Sequence, residues 1–193
     1  MNTPSAGTGI RANFMGIRPK VDPTSFVDPS SQIMGNVQIG PNVYIGPLTV
    51  IRADEADPEG KVHPVIIENE SCIQDGVIIH ARAGTQVKIG PRVNIAHGAI
   101  IHGPCTIGES CFVALRGTIY AATLEESVWV GIGAIIMRAT VPANTMIPAG
   151  SIVRDNSDVR NFRLTNVKEI EYQKDVFQAS AALREGYKRM LGK

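Results

Sequence analysis

The sequence predicts a mainly β chain, a parallel β-helix of about seven coils with a C-terminal α-helix packed alongside. Three observations carry this reading. Aliphatic residues recur almost every sixth position from Val21 to Val153, turn residues follow many of them, and the chain beyond Asn166 changes to a helical period. A six-residue period is neither the 3.6 of a helix nor the 2 of an ordinary strand. It fits a solenoid in which each short side turns one aliphatic side chain inward. A chain of 193 residues is long enough to bury a sizeable core of this kind.

Residues 1–20 read as an irregular lead-in, and the β-helix domain is expected over 21–155. It opens with an unbroken run, Val21, Val27, Ile33, Ile39, Ile45 and Ile51. A hydrophilic insertion from Glu55 to Pro64 follows, and the rhythm resumes at Ile67, Ile73 and Ile79. A shorter interruption covers Ala83 to Lys88. A second unbroken run, Ile89, Ile95, Ile101, Ile107, Val113 and Ile119, continues through Leu124, Val130 and Ile136 to Val141, Ile147 and Val153. Both interruptions are loops by composition. Gly40–Pro41, Gly46–Pro47, Gly90–Pro91 and Gly108–Glu109 are turn pairs that let the chain change direction every six residues.

Residues 156–193 close the same domain as a linker and a helix. Asn156 to Asn166 is polar. From about Lys168 to Met190, Val176, Leu183, Tyr187 and Leu191 fall near one face, with Phe177 at its edge, and Glu171, Lys174, Asp175, Glu185 and Arg189 lie opposite. Such a helix is about 34 Å long at 1.5 Å per residue. Seven coils stacked at about 4.8 Å give a prism of similar height. The helix is therefore expected to lie along the solenoid, covering one apolar face or bridging to a neighbouring subunit.

Composition removes several function classes. Net charge is +1 and charged residues make up 19%, with no basic stripe interleaved with aromatics, so nucleic acid is not an expected partner. No apolar stretch is long enough to span a bilayer, so no membrane partner is expected either. The N-terminus lacks the charged-then-apolar pattern of a secretory signal, and a cytoplasmic location is the expectation. Cys105 and Cys111 each sit four places after a core aliphatic, where small residues turn inward, and are read as buried packing. The cysteine spacings support neither a disulfide framework nor a cysteine-rich zinc site.

Dividing the 21 core positions into coils of three places an outward column just after each third side: Met34, Arg52, His80, His102, Tyr120, Met137 and Arg154. Two histidines thus stack on adjacent rungs about 4.8 Å apart, a spacing that suits two zinc–nitrogen bonds of about 2.0–2.1 Å. His97 lies two places after Ile95 on the second side of its coil, with Asp75 one rung away. A corner separates it from His102. One subunit is not expected to bring all three imidazoles to one ion, whereas side-by-side packing with threefold symmetry is: His80 and His102 of one chain would meet His97 of the next, giving three sites per homotrimer. His63 sits in the first insertion and reads as a loop residue.

The segments around these histidines, IRADE (51–55), IQDGVIIH (73–80) and NIAHGAIIHG (94–103), resemble the γ-class carbonic anhydrases. The likeness runs over about residues 20–190 and includes EGYK (185–188). The six-residue rhythm alone is shared with many acyltransferases, whereas the three segments in this order and spacing are specific. The resemblance implies a left-handed coil, where the general crossover rule gives right-handed connections. It implies reversible hydration of carbon dioxide to bicarbonate by metal-bound hydroxide at trimer interfaces. His80, His97 and His102 would be the metal ligands, Gln74 would hydrogen-bond the metal-bound water, and Glu55 matches an active-site glutamate that helps hydration or proton movement. Arg52 and Asp75 would form an ion pair holding neighbouring subunits together, and Asp54 would join the same interface network. Three neutral imidazoles leave an ion with an open position and lower the pKa of bound water to about 7. Zn2+ is the expected ion, and Fe2+ or Co2+ suit the same ligands.

The chain departs from that pattern twice. Archetypal members carry a glutamate proton shuttle three residues after the first metal histidine, where this chain has Ala83; Glu55, Glu59 or His63 are the available substitutes. The segment usually reading N-[IV]-Q-D-G begins here with Cys72, a weaker hydrogen-bonding group than an amide. Two other functions compete: a catalytically weak or inactive scaffold related to the carbonic anhydrases, and a coenzyme-A-dependent acyltransferase.

Overall fold

A computed structural model describes residues 9–160 and 162–192. The chain winds into a three-sided parallel β-helix. Sheet 1 has eight strands: Ile10–Arg11, Gln32–Gly35, Val50–Ala53, Ile78–His80, Ile100–His102, Thr118–Tyr120, Ile135–Met137 and Ile152–Val153. Sheet 2 has seven strands, from Lys20–Val21 to Thr140–Val141, and sheet 3 has seven, from Phe26–Val27 to Met146–Ile147. Each strand pairs in parallel with the strand one coil away. The lead-in contributes the first strand of sheet 1, in which Ile10 and Arg11 lie opposite Ile33 and Met34.

Every one of the aliphatic positions spaced by six faces the interior. Ile33, Ile51, Ile79, Ile101, Ile119, Ile136 and Val153 line sheet 1, all fully buried. The other two sheets supply equivalent columns, including Ile39, Ile67, Ile89 and Ile107 on one and Ile45, Ile73, Ile95 and Val113 on the other. Burying one such side chain contributes about 1.5–3 kcal/mol, so the column is the main source of cohesion. Cys72, Cys105 and Cys111 are buried free thiols, as packing requires of the latter two.

The corners show a division of labour. In the turns 40–43, 46–49, 90–93 and 108–111 the left-handed residue is Asn42, Leu48, Arg92 or Ser110, with φ between 52° and 57°. The preceding glycine serves a different need. A Cβ on Gly46 would lie 2.5 Å from Asp75 Oδ1, and one on Gly108 would lie 2.7 Å from the Glu125 carbonyl carbon. Glycine is therefore required there because the next rung passes too close for a side chain.

The helix α1 (Val167–Met190) begins with a capping box between Asn166 and Glu169. It covers sheet 3 and runs back towards the first coils. Tyr172 meets Phe112 and Trp129 near one end, and Tyr187 stacks on Phe26 near the other. Lys188 Nζ also donates to the Pro23 and Thr24 carbonyls. Ser180 is the buried residue of the helix, while Leu183, Tyr187 and Leu191 remain partly open. No helix among the described residues is long and apolar enough to cross a membrane.

Candidate functional site

The outward column on sheet 1 has the order expected from the repeat. Met34 lies opposite Arg52, Arg52 opposite His80, His80 opposite His102, His102 opposite Tyr120, and Tyr120 opposite Met137. His80 Nδ1 and His102 Nε2 face each other at 3.2 Å. Tyr120 lies against the other side of His102, with ring centroids 5.5 Å apart and planes 29° from parallel.

A divalent ion fits this pair. Two nitrogens bound to a tetrahedral ion at 2.0–2.1 Å stand about 3.3 Å apart, close to the observed separation. The remaining ring nitrogens, His80 Nε2 and His102 Nδ1, are buried without a hydrogen-bond partner among the described residues. His80 Nε2 lies 3.1 Å from Glu55 Oε1 but off the line needed for a hydrogen bond. A ligating histidine ordinarily donates its other ring N–H to a carboxylate, a backbone carbonyl or water, and Glu55 is near enough to become that acceptor. Burial, followed by the Arg52 cation, pushes the His80 imidazole below its ordinary pKa. The neutral ring that metal binding needs is thereby favoured.

Glu55 owes its position to the insertions. The loops that follow Ala53 and Ala81 leave the same corner of consecutive coils, so they emerge side by side. Glu55 Oε2 accepts a hydrogen bond from the Ala83 amide at 3.1 Å, joining the loops. Within the chain Arg52 Nε donates to Asp54 Oδ1 at 2.9 Å, and Arg52 Nη2 lies 3.6 Å from Glu55 Oε1. His63 pairs with Asp57 at 2.9 Å, and Asp57 also accepts the Glu59 and Lys61 amides. His63 thus closes its own loop.

His97 belongs to another edge of the prism. It sits at the corner between sheets 3 and 1, next to Gly98, whose φ of 68° makes that turn. Its Nδ1 lies 3.4 Å from Asp75 Oδ2 of the adjoining coil, and both side chains are about half exposed. Five residue steps of chain, at most about 16 Å when extended, lead from it to His102 across sheet 1. Among the described residues, no three His, Cys, Asp or Glu side chains of one chain converge on a common point.

His97 and Gln74 line one end of a cleft of about 510 Å³ between α1 and sheet 3. Its floor is made of small residues at one place in successive coils, Ala96, Ala114 and Gly131, and Trp129 and Tyr172 form part of its wall. Gln74 Nε2 donates to Ser180 Oγ at 2.9 Å. Sequence reading passed over Ser180 because the helix face was traced through apolar residues only. The available signal was its place in the series 176, 180, 183, 187, where a polar side chain interrupts an apolar stripe. Asn94 was passed over too: it is 1% exposed beneath α1, and neither end of its amide has a partner among the described residues.

Comparison with known proteins agrees with this architecture. The family model "Bacterial transferase hexapeptide (six repeats)" matches residues 18–53. The carboxysome assembly protein CcmM of Synechococcus elongatus is 33% identical over 113 residues; the match takes in 53% of this chain but only 20% of CcmM. A carbonic anhydrase of Methanosarcina thermophila is 26% identical over 191 residues, covering 88% of this chain and 75% of that one. The carnitine operon protein CaiE of Escherichia coli O7:K1 is 33% identical over 177 residues, covering 89% and 85%. A solved hexapeptide transferase family protein from Anaplasma phagocytophilum superposes with a TM-score of 0.70 at 26% identity, over 93% of this chain and 98% of that one. The repeat and the extent of the match to CaiE together place the chain: it belongs to the hexapeptide-repeat β-helix family to which the γ-class carbonic anhydrases are related.

Proposed function

We propose that the protein is a metal-dependent carbonic anhydrase, working as a cytoplasmic homotrimer whose sites lie between neighbouring chains. The observation that carries the reading is the His80–His102 pair, whose facing nitrogens have the spacing of two ligands on one ion. The likeness to the Methanosarcina enzyme supports it. His97 of an adjoining copy completes the ligand set. Exposed Ile78 and Ile100, on the same sheet as the two histidines, give that copy an apolar surface to cover.

His80, His102 and the His97 of an adjoining copy, as neutral imidazoles, would hold a Zn2+, Fe2+ or Co2+ ion, which would supply a Lewis acid able to make hydroxide available at neutral pH. The chain's own groups do the rest. Arg52, Asp54 and Asp75 line the contact between copies. Gln74 orients the attacking oxygen through a hydrogen bond. Glu55, fixed by the Ala83 amide and still 38% exposed, takes the released proton and passes it to solvent. It replaces the shuttle that Ala83 cannot provide.

Anaerobic purification followed by metal analysis and a hydration assay on the same sample tests the reading. One ion per chain is expected, with turnover lost in His80→Ala and His102→Ala. Full turnover in those variants rejects the assignment. The alternative of acyl transfer rests on the hexapeptide-transferase likeness. Binding of an acyl-CoA by metal-free protein would favour it. The scaffold alternative rests on the likeness to CcmM; full metal occupancy without turnover would favour that one.

A further inference from the structure

We propose that Ser180 is a positioning residue for Gln74, fixing which end of the Gln74 amide faces the candidate site. The inference deepens the carbonic anhydrase reading and rests on it for the role of Gln74. The geometry stands by itself. Ser180 is 2% exposed and lies at the middle of α1, between the aromatic contacts at its two ends. Gln74 is 9% exposed and lies 106 residues earlier in the chain. An alanine at position 180 would pack against sheet 3 without desolvating a hydroxyl and is the better helix former. A serine there gains only by meeting polar partners, and these are Gln74 Nε2 at 2.9 Å and the Cys72 thiol.

A serine hydroxyl can accept or donate; here its oxygen accepts from Gln74 Nε2, and its proton is left for the Cys72 thiol beside it, which gives the amide its direction. The NH2 end is held towards the helix, so the carbonyl Oε1 is left for the cleft that Gln74 shares with His97. An amide carbonyl accepts and cannot donate. The species held opposite it is therefore an O–H donor, water or hydrogen carbonate, in preference to carbon dioxide. Without Ser180 the amide is free to turn, and an NH2 group facing the cleft would no longer select the donor. The helix, which supplies none of the three candidate histidine ligands, thereby becomes part of the site.

The test is a double-mutant cycle on metal-loaded trimer, with kcat/KM measured in imidazole buffer so that proton export does not limit the rate. Ser180→Ala and Gln74→Ala should each lower kcat/KM by roughly tenfold, and the double variant should lose no more than either alone. Ser180→Thr, which keeps the hydroxyl, should recover most of the loss. The Gln74 side-chain amide signals, assigned by their disappearance in Gln74→Glu, should exchange slowly with solvent in the parent and in Ser180→Thr, and fast in Ser180→Ala. Additive losses, an undiminished Ser180→Ala, or Gln74 signals indifferent to Ser180 would each overturn the proposal. A parent protein without turnover would sink the carbonic anhydrase reading instead, and the amide signals would still decide whether Ser180 holds Gln74.

Discussion

Cys72 and Asn94 are register partners on neighbouring coils, and both are sealed beneath α1. They belong to an outward column on sheet 3 that runs Phe26, Tyr44, Cys72, Asn94, Phe112, Trp129, Met146. Aromatic rings stack along it on either side, with Phe112 and Trp129 centroids 4.1 Å apart. In the middle, the amide of Asn94 faces a thiol rather than another amide, and both its polar atoms lack partners among the described residues. A buried, unpaired polar group costs about 1–3 kcal/mol. Asn94→Leu, which keeps the branched shape and removes the polar atoms, should stabilise the chain by an amount in that range. Thermal and denaturant unfolding of the variant would check this, and a destabilised Asn94→Leu would mean that the amide has a partner.

Adjacent isoleucines on sheet 1 should behave as different residues. Ile101 is fully buried, while Ile100 is 39% exposed. Ile101→Ala opens a cavity in the core column and should cost about 2–5 kcal/mol. Ile100 lies between Ile78 and Thr118 on an outward column that continues to Ile135 and Ile152. A charge there is solvated in a lone chain but would be buried between copies in the proposed trimer. Ile100→Asp should therefore leave circular dichroism unchanged and shift sedimentation from trimer to monomer. A trimer that survives Ile100→Asp would move the interface to another face.

The inward pattern was readable because the core side chain occurs once per six residues on every side, so register follows from counting. That same counting put His80 opposite His102, since the strand register advances by whole coils. The groups around the pair were harder to read. Glu55 reaches His80 because two insertions of unrelated sequence leave the same corner on successive coils, and no local period encodes that meeting. Ser180 meets Gln74 only once α1 is laid on sheet 3, and its axial position along the sheet is set by aromatic contacts at both ends. The turn glycines were legible as punctuation but not in their cause, because the close approach of the next rung is a property of the stack.

Stability should fall on the alkaline side. Burial pushes the Cys72 thiol up to about 11 and the Cys111 thiol up to about 12, from an ordinary value of 9.0. Burial likewise raises the Tyr44 phenol to about 12. Above pH 9 the unfolded chain releases thiol protons that the folded chain keeps. The folded state then binds more protons, so unfolding free energy decreases as pH rises. The stabilisation is fully present below about pH 9 and is lost progressively through pH 11 to 12. Melting temperatures measured from pH 8 upward should decline, and Cys111→Ala should decline less steeply. An equal slope in that variant would show that the thiol is not the group responsible.

If His97 works only with the histidines of an adjoining copy, two defective chains should repair each other. A His97→Ala chain retains His80 and His102, and a His102→Ala chain retains His97. In a closed threefold ring, every mixed trimer has one contact at which the intact halves meet. Equal amounts, unfolded and reassembled together, place three quarters of the trimers in the mixed class, each with one good site of three. Activity and tightly held metal should both recover to about one quarter of the parent value. Mixing without reassembly should recover neither, and His80→Ala mixed with His102→Ala should also fail, because those two ligands act from the same chain. Recovery in that last mixture, or none in the first, would contradict a site divided between neighbours, and the metal measurement decides the matter even where turnover is too slow to detect.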